Sequence, residues 1–246
     1  MWQNRLGIAT SVARDENFSW QVTLQRARKA NIRHVQFYIK KTTGLAEALQ
    51  NLISGSSQIF PYFHLPPSED EGQISEILTT LSRYFPRRFV VIQHQPFWET
   101  LHTMQGAFPA MIIAVENDAP KQTPHDFLRF AEKTFTSKTF WAVVDVARFY
   151  HQAPPLLTDR ALEKQILDLF VFLQEKSIPF LIHAIDIKNR QPQRENWCPL
   201  FDGRIPWHNF LKALRKSSDL LKSFLFEYEN WNMCLSSIRR LREEIG

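Results

Sequence analysis

Eight short apolar runs recur along the chain, separated by longer stretches that carry helix-like patterns. The runs are Leu6 to Val12, His34 to Ile39, Gln58 to Leu65, Phe89 to His94, Met111 to Asn117, Phe140 to Val146, Phe180 to Ile187 and Ser223 to Tyr228. Several are apolar at successive positions, as in MIIAV and FWAVV, so both faces need cover. Strands of that kind belong to parallel sheets with helices packed over them. The stretches between supply those helices. Ser19 opens one through Ala30, with Val22, Leu24, Ala27 and Ala30 as core positions. Leu45 to Ile53 forms the next and stops at Gly55. The acidic opening Ser68-Glu69-Asp70-Glu71 precedes a stripe of Ile74, Ile77, Leu78 and Leu81. Phe97 to Met104 follows, then a helix begun by Thr123-Pro124 that runs through Phe127, Phe130 and Ala131. Asp159 begins a long helix with Leu162, Ile166, Leu169, Phe170 and Leu173 on one face. Pro206 to Leu214 and Cys234 to Ile245, with Leu235, Ile238 and Leu241 inward, complete the set. Strict strand–helix alternation to a count of eight predicts a (β/α)₈ TIM barrel, one domain over residues 1–246.

A 246-residue chain with 44% hydrophobic residues and 20 Phe has material for one such core. The net charge of +5 comes from basic residues scattered over separate segments, which reads as solvated helix faces and makes a nucleic-acid partner unlikely. Cys198 and Cys234 form no CxxC pair and no disulfide framework, which suits a reducing compartment. No run approaches the roughly 18 apolar residues of a membrane span, and Met1 to Val12 lacks a signal-peptide core. The expectation is a cytoplasmic protein that does not meet a membrane.

Four of the runs finish in acids or His: MIIAVE at Glu116, FWAVVD at Asp145, FLIHAID at His183 and Asp186, and FLFEYE at Glu227 and Glu229. In a barrel all strand C-termini open on one face, where sites are built. His64, His94 and Arg148 are delivered to that face as well. Two Glu, one Asp and one His around a centre suit one divalent ion such as Mn, Mg, Co or Zn. Without a cation they would repel one another.

These residues resemble the xylose isomerase-like TIM barrels, which include sugar and sugar-phosphate isomerases and epimerases, with endonuclease IV more distant. ENDAP is similar to that family's Glu-Asn after strand five, VVDVAR to its Asp-x-x-His, HAID to its His-x-x-Asp and FLFEYE to its strand-eight Glu. The resemblance implies Glu116, Asp145, His183 and Glu227 as metal ligands. It implies Glu116 and Glu227 also as the proton carriers for abstraction α to a metal-polarised carbonyl. His64, His94, Arg148, Asp186 and Arg190 are the candidates for substrate contact, with Lys188 beside them; Phe63, Phe149 and Trp197 either wall the pocket or pack in the core. The substrate class is a small sugar or sugar phosphate, and a homo-oligomer is compatible with the chain.

Two departures stand out. Arg148 replaces the family's His, and a guanidinium cannot ligate a metal. It is expected to fix an anionic group; pairing with Asp186 or Glu229 is the alternative. The loop at Asp202 lacks the Asp-x-His that would complete a trinuclear nuclease centre. A catalytically diverged barrel acting as a binding or accessory protein is therefore the second reading, and an endonuclease IV-like phosphoester hydrolase the third.

Overall fold

Runs in which every residue is apolar gain most when both sheet faces are buried, and burial of that kind is what the chain achieves. In the computed structural model, which describes residues 2–55, 58–68, 70–135, 139–216 and 219–246, parallel strands close into a barrel. They are β1 (Leu6–Ala9), β2 (His34–Tyr38), β3 (Phe60–His64), β4 (Phe89–His94), β5 (Met111–Glu116), β6 (Phe140–Asp145), β7 (Phe180–Ala184) and β10 (Leu221–Phe226). Between the last two, β8 (Asp186–Ile187) and β9 (Trp197–Cys198) form a small antiparallel ribbon. Around the barrel the order is β1-β10-β7-β6-β5-β4-β3-β2. The expected (β/α)₈ barrel is the fold.

Helices α1 (Trp20–Lys29), α2 (Leu45–Gly55), α3 (Glu71–Tyr84), α4 (Trp98–Met104), α5 (Pro124–Thr134), α6 (Val146–Gln152), α7 (Asp159–Glu175), α8 (Trp207–Lys216) and α9 (Trp231–Ile245) cover it. Their starts follow local chemistry. Ser19 caps α1 through the Val22 N–H, and Thr123 and Asp126 close a reciprocal capping box ahead of Pro124 in α5. Glu69, part of the acidic opening before α3, lies outside the described residues; Asp70 provides the cap there.

The structure departs from strict alternation in two places, and the last strand is shifted. A short helix, α6, intervenes after β6, because Asp145 ends the strand and at once caps the helix. Strand seven stops at Ala184, and Asp186 belongs to the ribbon. The last strand begins at Leu221 and ends at Phe226, so Glu227 sits one residue beyond it.

Strand alternation decides what faces the barrel axis. Tyr62, Val90, Ile92, Ile112, Ala114, Trp141, Val143, Leu181 and Leu225 form the inner core, while Val91, Ile113, Ala142 and Ile182 pack outward against the helices. Continuing each inner series by two residues reaches His64, His94, Glu116, Asp145, His183 and Glu227. Alternation thus points them to one axis at one end.

Candidate active site

Register brings these residues level. His94 pairs across the ladder with Glu116, Asp145 with His183, and Tyr38 with His64. Ligand atoms of Glu116, Asp145, His183 and Glu227 all lie within 4.8 Å of one another, as do those of His64, His94 and Glu116. Glu116 and His183 are each only 1% exposed.

His183 is the hub. Its Nε2–H donates to Gln36 Oε1 at 2.8 Å, which turns Nδ1 toward Glu116 Oε1 and Glu227 Oε2, each 3.1 Å away. A lone pair on Nδ1 facing two carboxylates would be repulsive, so this position calls for a proton or a metal ion. Burial opposes the imidazolium, but Glu227 and Glu116 outweigh it and lift the His183 pKa to about 10. Gln36 Nε2 and the Tyr38 hydroxyl donate to Glu227 Oε1 at 2.7 and 3.0 Å. Burial raises the Glu227 carboxyl, yet His183 holds it below the usual value.

Glu116 is likewise pushed up by burial and pulled well below the usual carboxylate value by Arg148, His183 and His64. His64 Nε2 meets Glu116 Oε2 at 3.0 Å, and His94 Nδ1 stands 3.6 Å from the same oxygen while pairing with Asp118. Asp145 caps α6 through the Arg148 N–H. Its carboxyl is raised, chiefly by burial, with Arg148 opposing and Glu116 and Glu227 adding. Asn117 clamps the ends of β5 and β6 together: its amide donates to Asp145 O and accepts from Asp145 N at 3.0 and 2.6 Å.

Arg148 points into the mouth, as expected, but its partners are the protein's own acids. It lies 3.1 Å from Asp145 Oδ2 and 3.3 Å from Glu116 Oε1, and it also pairs with Asp118. Neither alternative partner is involved. Glu229 pairs with Arg14 and Arg194, and Asp186 is occupied elsewhere.

Two further expectations are corrected. Asp186 is not brought to the cluster: it is fully buried and accepts the N–H groups of Ile187, Phe201, Gly203 and Ile205. The strand ends before it, so it organises the loop instead. Arg190 is not there either; its guanidinium binds Asp159 and the Leu157 carbonyl, tying this loop to the start of α7. Lys188 is exposed on the same loop. Phe63 and Phe149 are core residues, whereas Trp197 lines the mouth.

Gln36, Tyr38, Asn117, Asp118 and His151 escaped the reading of the sequence. A polar Gln inside HVQFYI was the available signal, because a buried amide needs partners. Two cavities of about 400 Å³ share Tyr38, Arg148 and Glu227 in their walls. Each lies within the usual size of small-molecule sites. Beside the first, His151 Nε2 and Trp197 Nε1 are buried without a hydrogen-bond partner among the described residues. The donor set suits a divalent ion: three carboxylates and one imidazole whose inner nitrogen faces them. Arg148 competes for the same charge.

No family model matches the chain, and no curated protein matches it. Solved structures do share its fold. A D-tagatose 3-epimerase-like protein superposes with a TM-score of 0.69 at 15% identity, covering 98% of this chain and 97% of its own. An L-ribulose 3-epimerase gives 0.60 at 14% identity over 98% of this chain and 93% of its own. A probable 3-DHS dehydratase of Bacillus anthracis, AsbF, gives 0.66 at 13% identity over 97% and 98%. At these identities the likeness is one of fold.

Proposed function

We propose that the barrel mouth is a divalent-metal centre that moves a proton on a small sugar, making the chain an isomerase or epimerase akin to the xylose isomerase-like barrels. The observation that carries this reading is His183 Nδ1 set 3.1 Å from both Glu116 and Glu227. Glu116, Asp145, His183 and Glu227 would hold the ion, which when bound polarises a carbonyl and the adjacent hydroxyl. The chain's own residues do the rest. Gln36 fixes the His183 tautomer so that Nδ1 faces inward. Gln36 and Tyr38 hold one oxygen of Glu227, leaving the other toward the centre. His64 does the same for Glu116. Two carboxylates so placed are suited to removing and returning a proton at carbon. Sugar epimerases among the structures of the same fold support the substrate class. Arg148 is engaged by three carboxylates, which favours a neutral sugar over a phosphorylated one.

The test is turnover of neutral and phosphorylated ketoses and aldoses by metal-loaded protein, alongside Glu116→Gln and Glu227→Gln. Each variant should lower turnover by about 10²–10⁴-fold, as loss of a positioned acid–base group does, while the fold persists. Retained turnover in both, or no divalent-ion binding by the parent, would sink the proposal. Arg148 within the ligand cluster favours the second reading, a barrel that binds sugars without turning them over. Sugar binding with no turnover at any metal concentration would establish that instead.

A further inference from the structure

Opposite the mouth, the N-terminal strand ends open into another cavity of about 650 Å³. The parallel register puts it at the far end of the barrel from His183 and Glu116. Arg33 and His34 enter it at the start of β2, Phe60 at the start of β3, Arg88 just before β4 and Lys222 early in β10. Arg5 lines it ahead of β1. In barrels this face normally serves stability and is packed or solvated. Here it is concave, cationic and aromatic.

Charge and shape both ask for a partner. Arg5, Arg33, Arg88 and Lys222 line the cavity, and among the described residues no Asp or Glu lines it. Among the described residues, Arg33, Arg88 and Lys222 form no ion pair with a carboxylate; the Lys222 ammonium donates to the Asp219 carbonyl at 2.8 Å. Burial, Arg5 and Arg88 together lower the Lys222 pKa, with Asp219 opposing. Burial and Arg5 likewise lower the His34 pKa to about 4, so it is neutral near pH 7 and adds no positive charge. The rings complete the picture. Phe60 is 56% exposed, one of few large apolar side chains left open. It stacks on His34 with centroids 5.0 Å apart, and Arg88 lies 5.2 Å from the Trp141 ring centre.

We propose that this end of the barrel binds a phosphate monoester carrying a flat ring, a ligand of mononucleotide size and chemistry. The ring stacks against Phe60, and the phosphate dianion meets Arg33, Arg88 and Lys222. Guanidinium and ammonium groups bind phosphate oxygens through charge-assisted hydrogen bonds. The volume falls within the range of sites for such ligands.

The probe is AMP, titrated calorimetrically into the full chain, with adenosine and inorganic phosphate run separately. AMP should bind, and each fragment on the order of tenfold or more weakly, since the ring and the anion both contribute. Arg88→Glu and Lys222→Glu should each weaken AMP by a similar factor, and Phe60→Ala should weaken AMP without weakening phosphate. Phe60 and Arg88 are exposed, so these variants can be checked for an unchanged melting temperature. Glu227→Gln, at the other end of the barrel, should leave AMP affinity as it was. The proposal falls if AMP does not bind. It falls equally if Arg88→Glu and Lys222→Glu bind AMP like the parent, if Glu227→Gln abolishes binding, or if either fragment binds as tightly as AMP.

Discussion

Arg148 caps nothing itself; its backbone N–H satisfies Asp145 while its guanidinium draws Asp145, Glu116 and Asp118 together. A cation on a flexible side chain is therefore competing with any ion held by the same carboxylates. Arg148→Ala should raise divalent-ion affinity by roughly tenfold or more, about 1.4 kcal/mol, read by competition with a chromophoric chelator. In chelated buffer the same variant should lose about 2–4 kcal/mol of stability, because it strands buried acids without their partner. Unchanged metal affinity would show that Arg148 swings away at no cost. At this scale the sequence reveals residues that share the inward parity of a strand. Ile112, Ala114 and Glu116 form one such series, and Leu181 and His183 another. It conceals residues whose role depends on the partner strand. Gln36 has no meaning until His183 and Glu227 stand beside it, and Asn117 reads as a turn residue until β6 is found within reach of its amide. The pairing of Arg148 with Asp118 was hidden for the same reason, since Asp118 also reads only as a turn.

Between β7 and α8 the chain makes the ribbon, and Asp186 holds it with four backbone N–H groups. Tyr228 joins in, donating to the Cys198 carbonyl at 2.8 Å and accepting the Asp186 N–H at 3.0 Å. Gly203 makes this packing possible: a Cβ there would stand 2.1 Å from Asp186 Oδ1. Gly203→Ala should therefore cost about 2–3 kcal/mol in urea unfolding, the upper range for overpacking. Asp186→Asn should cost a similar amount, because one amide oxygen cannot replace two carboxylate oxygens among four donors. Neither loss should be relieved by divalent ions, since Asp186 is not in the cluster; relief would make Asp186 part of the metal site. Elements with long continuous apolar runs were legible, β5 and β6 above all, since buried parallel strands need no alternation. The break after Ala184 was not, because Ile185 and Ile187 keep the alternation of the run going across the point where pairing partner and direction change. Helix α6 was hidden similarly, as VARFY continues the apolar character of the strand before it.

Across the whole molecule, the mouth concentrates buried acids around one imidazole, and this couples folding to protonation and to the proposed metal binding. His183 has a folded pKa of about 10 against the ordinary 6.5, after the neighbouring Glu227 and Glu116 overcome burial. Its contribution to stability is fully present below pH 6.5 and is lost as pH rises toward 10. Glu116 and Glu227 have lowered folded values, so their contribution is present above the ordinary 4.5 and lost as pH falls below it. Asp145, raised mainly by burial, works in the opposite sense and blunts the acid side. Chelated protein should thus melt highest between roughly pH 5 and 6.5 and lose melting temperature steadily from there toward pH 10. A divalent ion bound as proposed would take the place of the His183 proton, so its binding should release protons and tighten as pH rises. With saturating ion, the alkaline fall should flatten. The fall and its relief are followed by thermal melts at fixed ionic strength, and the proton by calorimetry in buffers of different ionisation enthalpy. A chelated protein whose melting temperature is level from pH 6.5 to 10 would mean that His183 is not the protonated centre of the cluster. A metal that binds without releasing a proton would mean that it sits elsewhere. Because alternation and register alone bring these groups to one axis, removing the imidazole by His183→Leu should erase the alkaline dependence while leaving the barrel folded at pH 9.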